Sequence, residues 1–197
     1  MRAFVIAMDC EADCVRPRMK SGDRLYVAGI GKVNAAAATQ KAICEGADEI
    51  WNAGLCGGFG DDVEVGDVFG VESAVEYDFD LAKLNGTRIG QLDEYETPYL
   101  AMARFEGPKE LRYRILATGD HFNDGESDYA LITKELGASL RDMEGAAIAH
   151  VCRRCGIPCR SLKCVTNVAH RGSMTGQYEE NKRRCLERLT AALKELM

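Results

Sequence analysis

The chain has 197 residues, enough for one sizeable domain and short for two. Its net charge of −6, with no long lysine or arginine run to offset it, argues against a nucleic-acid partner. Apolar residues make up 46% and charged residues 28%, an ordinary globular mix, and no apolar run approaches the length of a membrane span.

RAFVIAM (2–8) predicts a buried strand; it is too short for a signal segment and Asp9, Glu11 and Asp13 follow at once. RLYVAGIG (24–31) predicts a strand entering a glycine turn, and KVNAAAATQKAICEG (32–46) an Ala-rich helix closed by Gly46. EIWNAGLCGGFG (49–60) reads as a strand into a Gly-rich loop, and 66–80 alternates as strands do. Residues 81–110 are irregular and predict a surface excursion. YRILATGDHF (113–122) is a strand into a loop, 127–136 a helix and 138–143 a strand. A helix over 144–155 capped by Gly156, a strand over 157–167 and an amphipathic helix over 175–197 complete the chain. This alternation, without linker or repeat, predicts one α/β domain over 1–197.

The nine cysteines are odd in number and scattered through apolar segments, as in a protein of the reducing cytosol. CRRC (152–155) has no second CxxC and lies at a helix end, so it is read as ordinary helix surface. His121, His150 and His170 have nothing at metal-ligand spacing, and no metal or cofactor is expected.

Five strand-to-turn junctions hold the residues able to carry chemistry. In AMDCE, Asp9 and Glu11 follow a buried strand; such carboxylates either line a solvated loop or act as a general base. In GIGKVNAA (29–36) glycines precede a helix, a weak phosphate-cradle pattern. In NAGLCGGF (52–59) Leu55 and Cys56 supply no hydroxyl or cation, so an anion would have only backbone N–H donors. In TGDHF (118–122) Phe122 can stack on a planar ring or pack in the core. In RDMEGAAIAH (141–150) Glu144 opens a helix, whose dipole favours its ionised form. That charge suits a cationic transition state or sugar hydroxyls; the plain alternative is a favourable first-turn acid.

AMDCEA (7–12), GIGKVNAA, NAGLCGG (52–58), VGD (65–67), YDFD (77–80), GQL (90–92), TGDHF and DMEGAAIAHVC (142–152) run in one order along most of the chain. Together they resemble the purine nucleoside phosphorylase/nucleosidase superfamily, and within it the methylthioadenosine/adenosylhomocysteine nucleosidases. The resemblance implies a three-layer α/β/α sandwich with a mixed, mostly parallel central sheet. It implies hydrolysis of a purine N-glycosidic bond, with a purine nucleoside and water as substrates, in a cytoplasmic homodimer. It makes Glu11 the water-activating base, and Met143 and Glu144 the ribose-binding pair. Phe122 stacks on the base, the Asn123 backbone reads the base edge, and Met8 and Ile30 flank the sugar and its 5′ substituent.

Three features depart from that pattern. Asn167 stands where the family's nucleosidases have an aspartate that protonates N7 of adenine. Residues 81–90 offer Lys83 and Arg88 in place of aromatics that reach across a dimer. The stretch from Glu11 to Arg24 is too short for strands found there in the family. Asn167 favours a 6-oxopurine such as futalosine, whereas overall similarity favours an adenine nucleoside. A phosphorylase and a non-catalytic nucleoside-binding protein are the remaining readings.

Overall fold

The computed structural model describes residues 1–107, 110–122 and 128–197. The opening apolar run forms β1 (Arg2–Ile6). It pairs in parallel with β2 (Arg24–Val27) on one side and β3 (Glu49–Gly58) on the other, which leaves β2 at the sheet edge. Between β1 and β2 the chain makes a helix, α1 (Asp9–Val15), and a 3-10 turn over Arg16–Arg18. No strand intervenes, in keeping with the short spacing. The Ala-rich segment forms α2 (Lys32–Cys44).

Residues 66–80 contribute one long strand, β4 (Val68–Glu76). The excursion that follows holds only a short helix, α3 (Ala82–Asn85), and a two-residue strand, β5 (Leu100–Ala101). Then come β6 (Tyr113–Thr118), a π-helical turn over Leu131–Glu135 where a longer helix is expected, and β7 (Leu140–Asp142). The chain ends with α4 (Gly145–Cys155), β8 (Cys159–Val168) and α5 (Met174–Leu196).

The sheet is mixed and mostly parallel: among the described residues, five strand pairings are parallel and three antiparallel. Its strands do not end in two free edges throughout. β3 pairs with β7 and β8, β8 with β4, β4 with β6, and β6 with β7, so five strands close a ring. The mixed, mostly parallel α/β sheet is as expected, and its ring closure is an addition: strand order can be read from periodicity only where neighbours are sequential, and β8 and β4 are not.

Two details of packing position the site. The buried Cys185, Leu189 and Leu193 of α5 pack on Phe4, Trp51 and Leu162, which fixes the start of α5 beside the end of β8. In the β3–β8 ladder Cys56 faces Val165 and Gly57 faces Asn167, so Thr166 is an extra, bulged residue. A bulge breaks the two-residue alternation of side chains. It lets both Thr166 and Asn167 turn to the same cavity.

Candidate active site

The ends of β1, β3, β7 and β8 and the start of α5 enclose a cavity of about 390 Å³. Met8, Glu11, Ile30, Phe122, Met143, Glu144 and Asn167, all singled out from the sequence, line it. Asn123 lies outside the described residues.

Glu11 sits in the first turn of α1, not on a loop. One residue of helix, Cys10, separates it from Asp9, which turns outward while Glu11 is only 3% exposed. Both carboxylate oxygens are held by backbone: the Leu55 N–H donates at 2.7 Å and the Met8 N–H at 3.2 Å. The donors of the Gly-rich β3 segment thus serve an anion, but the anion is the protein's own. Gly54 makes this possible, because a Cβ there would lie 2.6 Å from Glu11 Oε1. Burial raises the Glu11 pKa; Lys163 and the two N–H donors pull it back without cancelling the rise.

Glu144 occupies the N-cap position of α4 but does not cap it. Asp142 Oδ2 accepts from the Gly145 N–H at 2.9 Å, and Thr118 Oγ1 from the Ala146 N–H at 2.9 Å. Relieved of capping, Glu144 Oε1 accepts from the Gly31 N–H at 2.9 Å and faces the cavity. The GIGK turn therefore spends this donor on Glu144 instead of a phosphate. The helix dipole does not keep this acid low: burial, and then the nearby Asp142 charge, raise it to about 7.

Asn167 is buried, and its side-chain oxygen accepts from the Thr166 hydroxyl at 2.6 Å. Its NH₂ meets only a soft acceptor, Met174 Sδ, at 3.4 Å. The amide thus has an N–H to offer the cavity, while its oxygen, with a second lone pair, can still accept. Phe122 is 50% exposed and stands edge-on to Tyr178 at 5.9 Å, leaving a face open to a ring.

The family model of the phosphorylase superfamily matches residues 21–197. The chain belongs to that superfamily. It is 32% identical over 157 residues to the 5′-methylthioadenosine/S-adenosylhomocysteine nucleosidase of Chromohalobacter salexigens, covering 74% of this chain and 66% of that one. It is 30% identical over 152 residues to the aminodeoxyfutalosine nucleosidase of Campylobacter jejuni, covering 71% and 65%. The chain thus spans just under two thirds of the length of these two relatives. The crystal structure of Helicobacter pylori 5′-methylthioadenosine/S-adenosylhomocysteine nucleosidase with a bound pyrrolidine compound has a TM-score of 0.87. It shares 19% identity, with 99% of this chain and 96% of that chain covered, which shows a common fold.

For this superfamily member, sequence reasoning missed Lys163. The side chain is fully buried in β8, and its ammonium lies 2.8 Å from Asp142 Oδ2. β7 and β8 both pair with β3, which brings the two residues together. Lys163 raises the tolerance of the site for negative charge: it acts on Asp142, Glu144 and Glu11, and they in turn hold its pKa above the usual lysine range against burial. The signal in the sequence was a lone lysine inside the apolar run SLKCV, which has no reason to be charged unless it is paired. Lys83 and Arg88 are exposed and outside the cavity lining of their own chain. His121 bonds Tyr77 and Asp128 at 3.2 and 2.9 Å, and His150 lies 3.4 Å from Glu76. Cys152 is buried and Cys155 exposed on α4, as an ordinary helix would place them. Among the described residues no helix is long and apolar enough to cross a membrane.

Proposed function

We propose that the protein is a purine nucleoside N-ribohydrolase acting on a 5′-substituted nucleoside. The observation that carries this is the placement of two separately anchored carboxylates, Glu11 and Glu144, on one cavity walled by Phe122 and Asn167. In this reading Glu11 takes a proton from water as the water attacks C1′. Glu144 accepts from the ribose hydroxyls and stabilises the positive charge that develops on the sugar. Met143 packs beside the ribose, Met8 and Ile30 border the 5′ group, and Phe122 stacks on the base. The names of the relatives from Chromohalobacter and Campylobacter support a nucleosidase.

Hydrolysis is favoured over phosphorolysis by Glu11 and Leu55. The Leu55 N–H is already bonded to Glu11, so a phosphate there would lose a donor and meet a carboxylate. Incubation with purine nucleosides and chromatography for free base tests the proposal; intact nucleoside after prolonged incubation would leave a binding protein.

A second reading, of a 6-oxopurine such as futalosine, is favoured by Asn167. With its oxygen bonded to Thr166, the amide has N–H to give. N7 and O6 of a hypoxanthine nucleoside both accept, whereas adenine offers N7 but a donor at N6. An amide cannot protonate N7. We also infer one domain over 1–197, layered as in the superfamily around its closed sheet, in a cytoplasmic homodimer with residues 77–92 near the partner's site. Light scattering that finds only the 21.6 kDa monomer would count against the dimer.

A further inference from the structure

Lysine is an unfavourable residue for the first position of α2, where the helix dipole opposes a cation and the first turn holds no acid. The Lys32 side chain lies outside the cavity lining and turns instead to the end of β4. There Nζ donates to Asp78 Oδ1 at 2.7 Å and to Glu76 Oε2 at 3.1 Å. The other Glu76 oxygen lies 3.4 Å from His150 Nδ1 on α4. The other Asp78 oxygen accepts from the Asp120 N–H at 3.0 Å, and Asp120 Oδ1 accepts from the Lys32 N–H at 2.7 Å. Side chain and backbone of Lys32 are thus joined in a closed ring through Asp78 and Asp120.

The residue before this ring is Gly31, whose N–H donates to Glu144 Oε1 at 2.9 Å. Gly29 and Gly31 both have positive φ, +88° and +101°. Glycines leave a turn little stiffness of its own, so its shape depends on what grips it from outside. Lys32 supplies two grips one residue from the donor. We infer that Lys32 is a positioning residue for Glu144: by tying the GIGK turn to Glu76, Asp78 and Asp120, it fixes the N–H that aims Glu144 at the ribose. The inference rests on the nucleoside reading above. Without the ammonium, Glu76 and Asp78 are like charges facing one gap, and their repulsion loosens the turn. A cluster that only fastened α2 to β4 would change stability and leave the Glu144 contact as it is.

The test measures kcat/KM of wild type, Lys32→Met, Lys32→Arg and Asp78→Ala on a purine riboside and on its 2′,3′-dideoxy counterpart with the same base and 5′ group. The dideoxy compound has no hydroxyl for Glu144. The ratio of the two therefore reads that contact, while losses in folding or base binding cancel. Lys32→Met is expected to lower the riboside preference by about tenfold, the scale of one hydrogen bond to a charged group. Lys32→Arg, which keeps a cation between the two acids, should restore most of it. Asp78→Ala should move the ratio the same way but less, since Glu76 still holds the ammonium, and it decides the matter if Lys32→Met does not fold. Cleavage by wild type with a ratio that neither Lys32→Met nor Asp78→Ala moves would overturn the inference alone. A wild type that cleaves no nucleoside would overturn it together with the nucleoside reading.

Discussion

Lys163 and Asp142 form an ion pair at 2.8 Å with both side chains sealed from solvent. Asp142 also accepts from the Thr118 hydroxyl at 2.6 Å and caps α4 through the Gly145 N–H at 2.9 Å. The pair ties β8 to the start of the helix that carries Glu144. Removing one partner leaves the other charge buried and uncompensated. Lys163→Met is expected to cost about 3–5 kcal/mol in urea unfolding. Adding Asp142→Asn to it should restore part of that loss, since the stranded charge is gone. A single substitution costing under about 1 kcal/mol would contradict this role.

The acids of the site set the pH behaviour. Glu144 has a folded pKa of about 7 against an ordinary 4.5, so between those values the folded state holds a proton that the unfolded chain has released. Its contribution to stability is full below the unfolded pKa and is lost as pH rises through about 7. Burial pushes Glu11 in the same direction. In the proposed reaction both groups act ionised, so activity is expected to run the opposite way. We expect kcat/KM to rise and stability to fall across the approach to neutral pH, with the stability slope reduced in Glu144→Gln. Denaturant unfolding at a series of pH values checks the sign.

Glu11 is expected to matter more for turnover than for binding. Glu11→Gln should lower kcat by about 10²-fold or more and leave ligand affinity largely intact. Gly54→Ala offers an independent route to the same effect, because its Cβ would displace Glu11 Oε1 from 2.6 Å away. The obstacle is the far end of one side chain, so the fold should survive while kcat falls. A Gly54→Ala enzyme with normal turnover would show that the position of Glu11 is unimportant.

Asn167→Asp tests the role of the amide. The aspartate can supply the proton that adenine needs on N7, so the preference between matched inosine- and adenosine-type substrates should move toward adenine. A shift of about tenfold corresponds to roughly 1.4 kcal/mol of transition-state discrimination. A wild type that already cleaves 5′-methylthioadenosine fast, with no gain in the variant, would place the proton on another route.

The local elements were legible because their signals are local. The apolar run at 2–8, the Ala-rich 32–46 and the amphipathic 175–197 each dictate one conformation, and β1, α2 and α5 stand close to those ranges. Glu11, Glu144 and Asn167 could be singled out because each follows or ends a strand. What stayed hidden depends on contacts distant in sequence. The ring closes through the antiparallel contact of β8 with β4, from Val68 facing Cys164 to Gly70 facing Leu162, which no periodicity encodes. Glu144 looked like an ordinary helix-opening acid because its release from capping depends on Asp142 and Thr118. Helix α1 was unread because seven residues are too few for a periodic pattern to show.

The central claim is that Glu11 activates water against C1′ of a purine nucleoside. Its most direct measurement is product analysis after incubation with 5′-methylthioadenosine and its inosine counterpart, with and without added phosphate, in wild type and Glu11→Gln. The account expects wild type to release free base and free 5-substituted ribose in equal amounts, independent of phosphate, and Glu11→Gln to release both far more slowly. Base release that requires phosphate and yields a sugar 1-phosphate, or that is unchanged in Glu11→Gln, would contradict it.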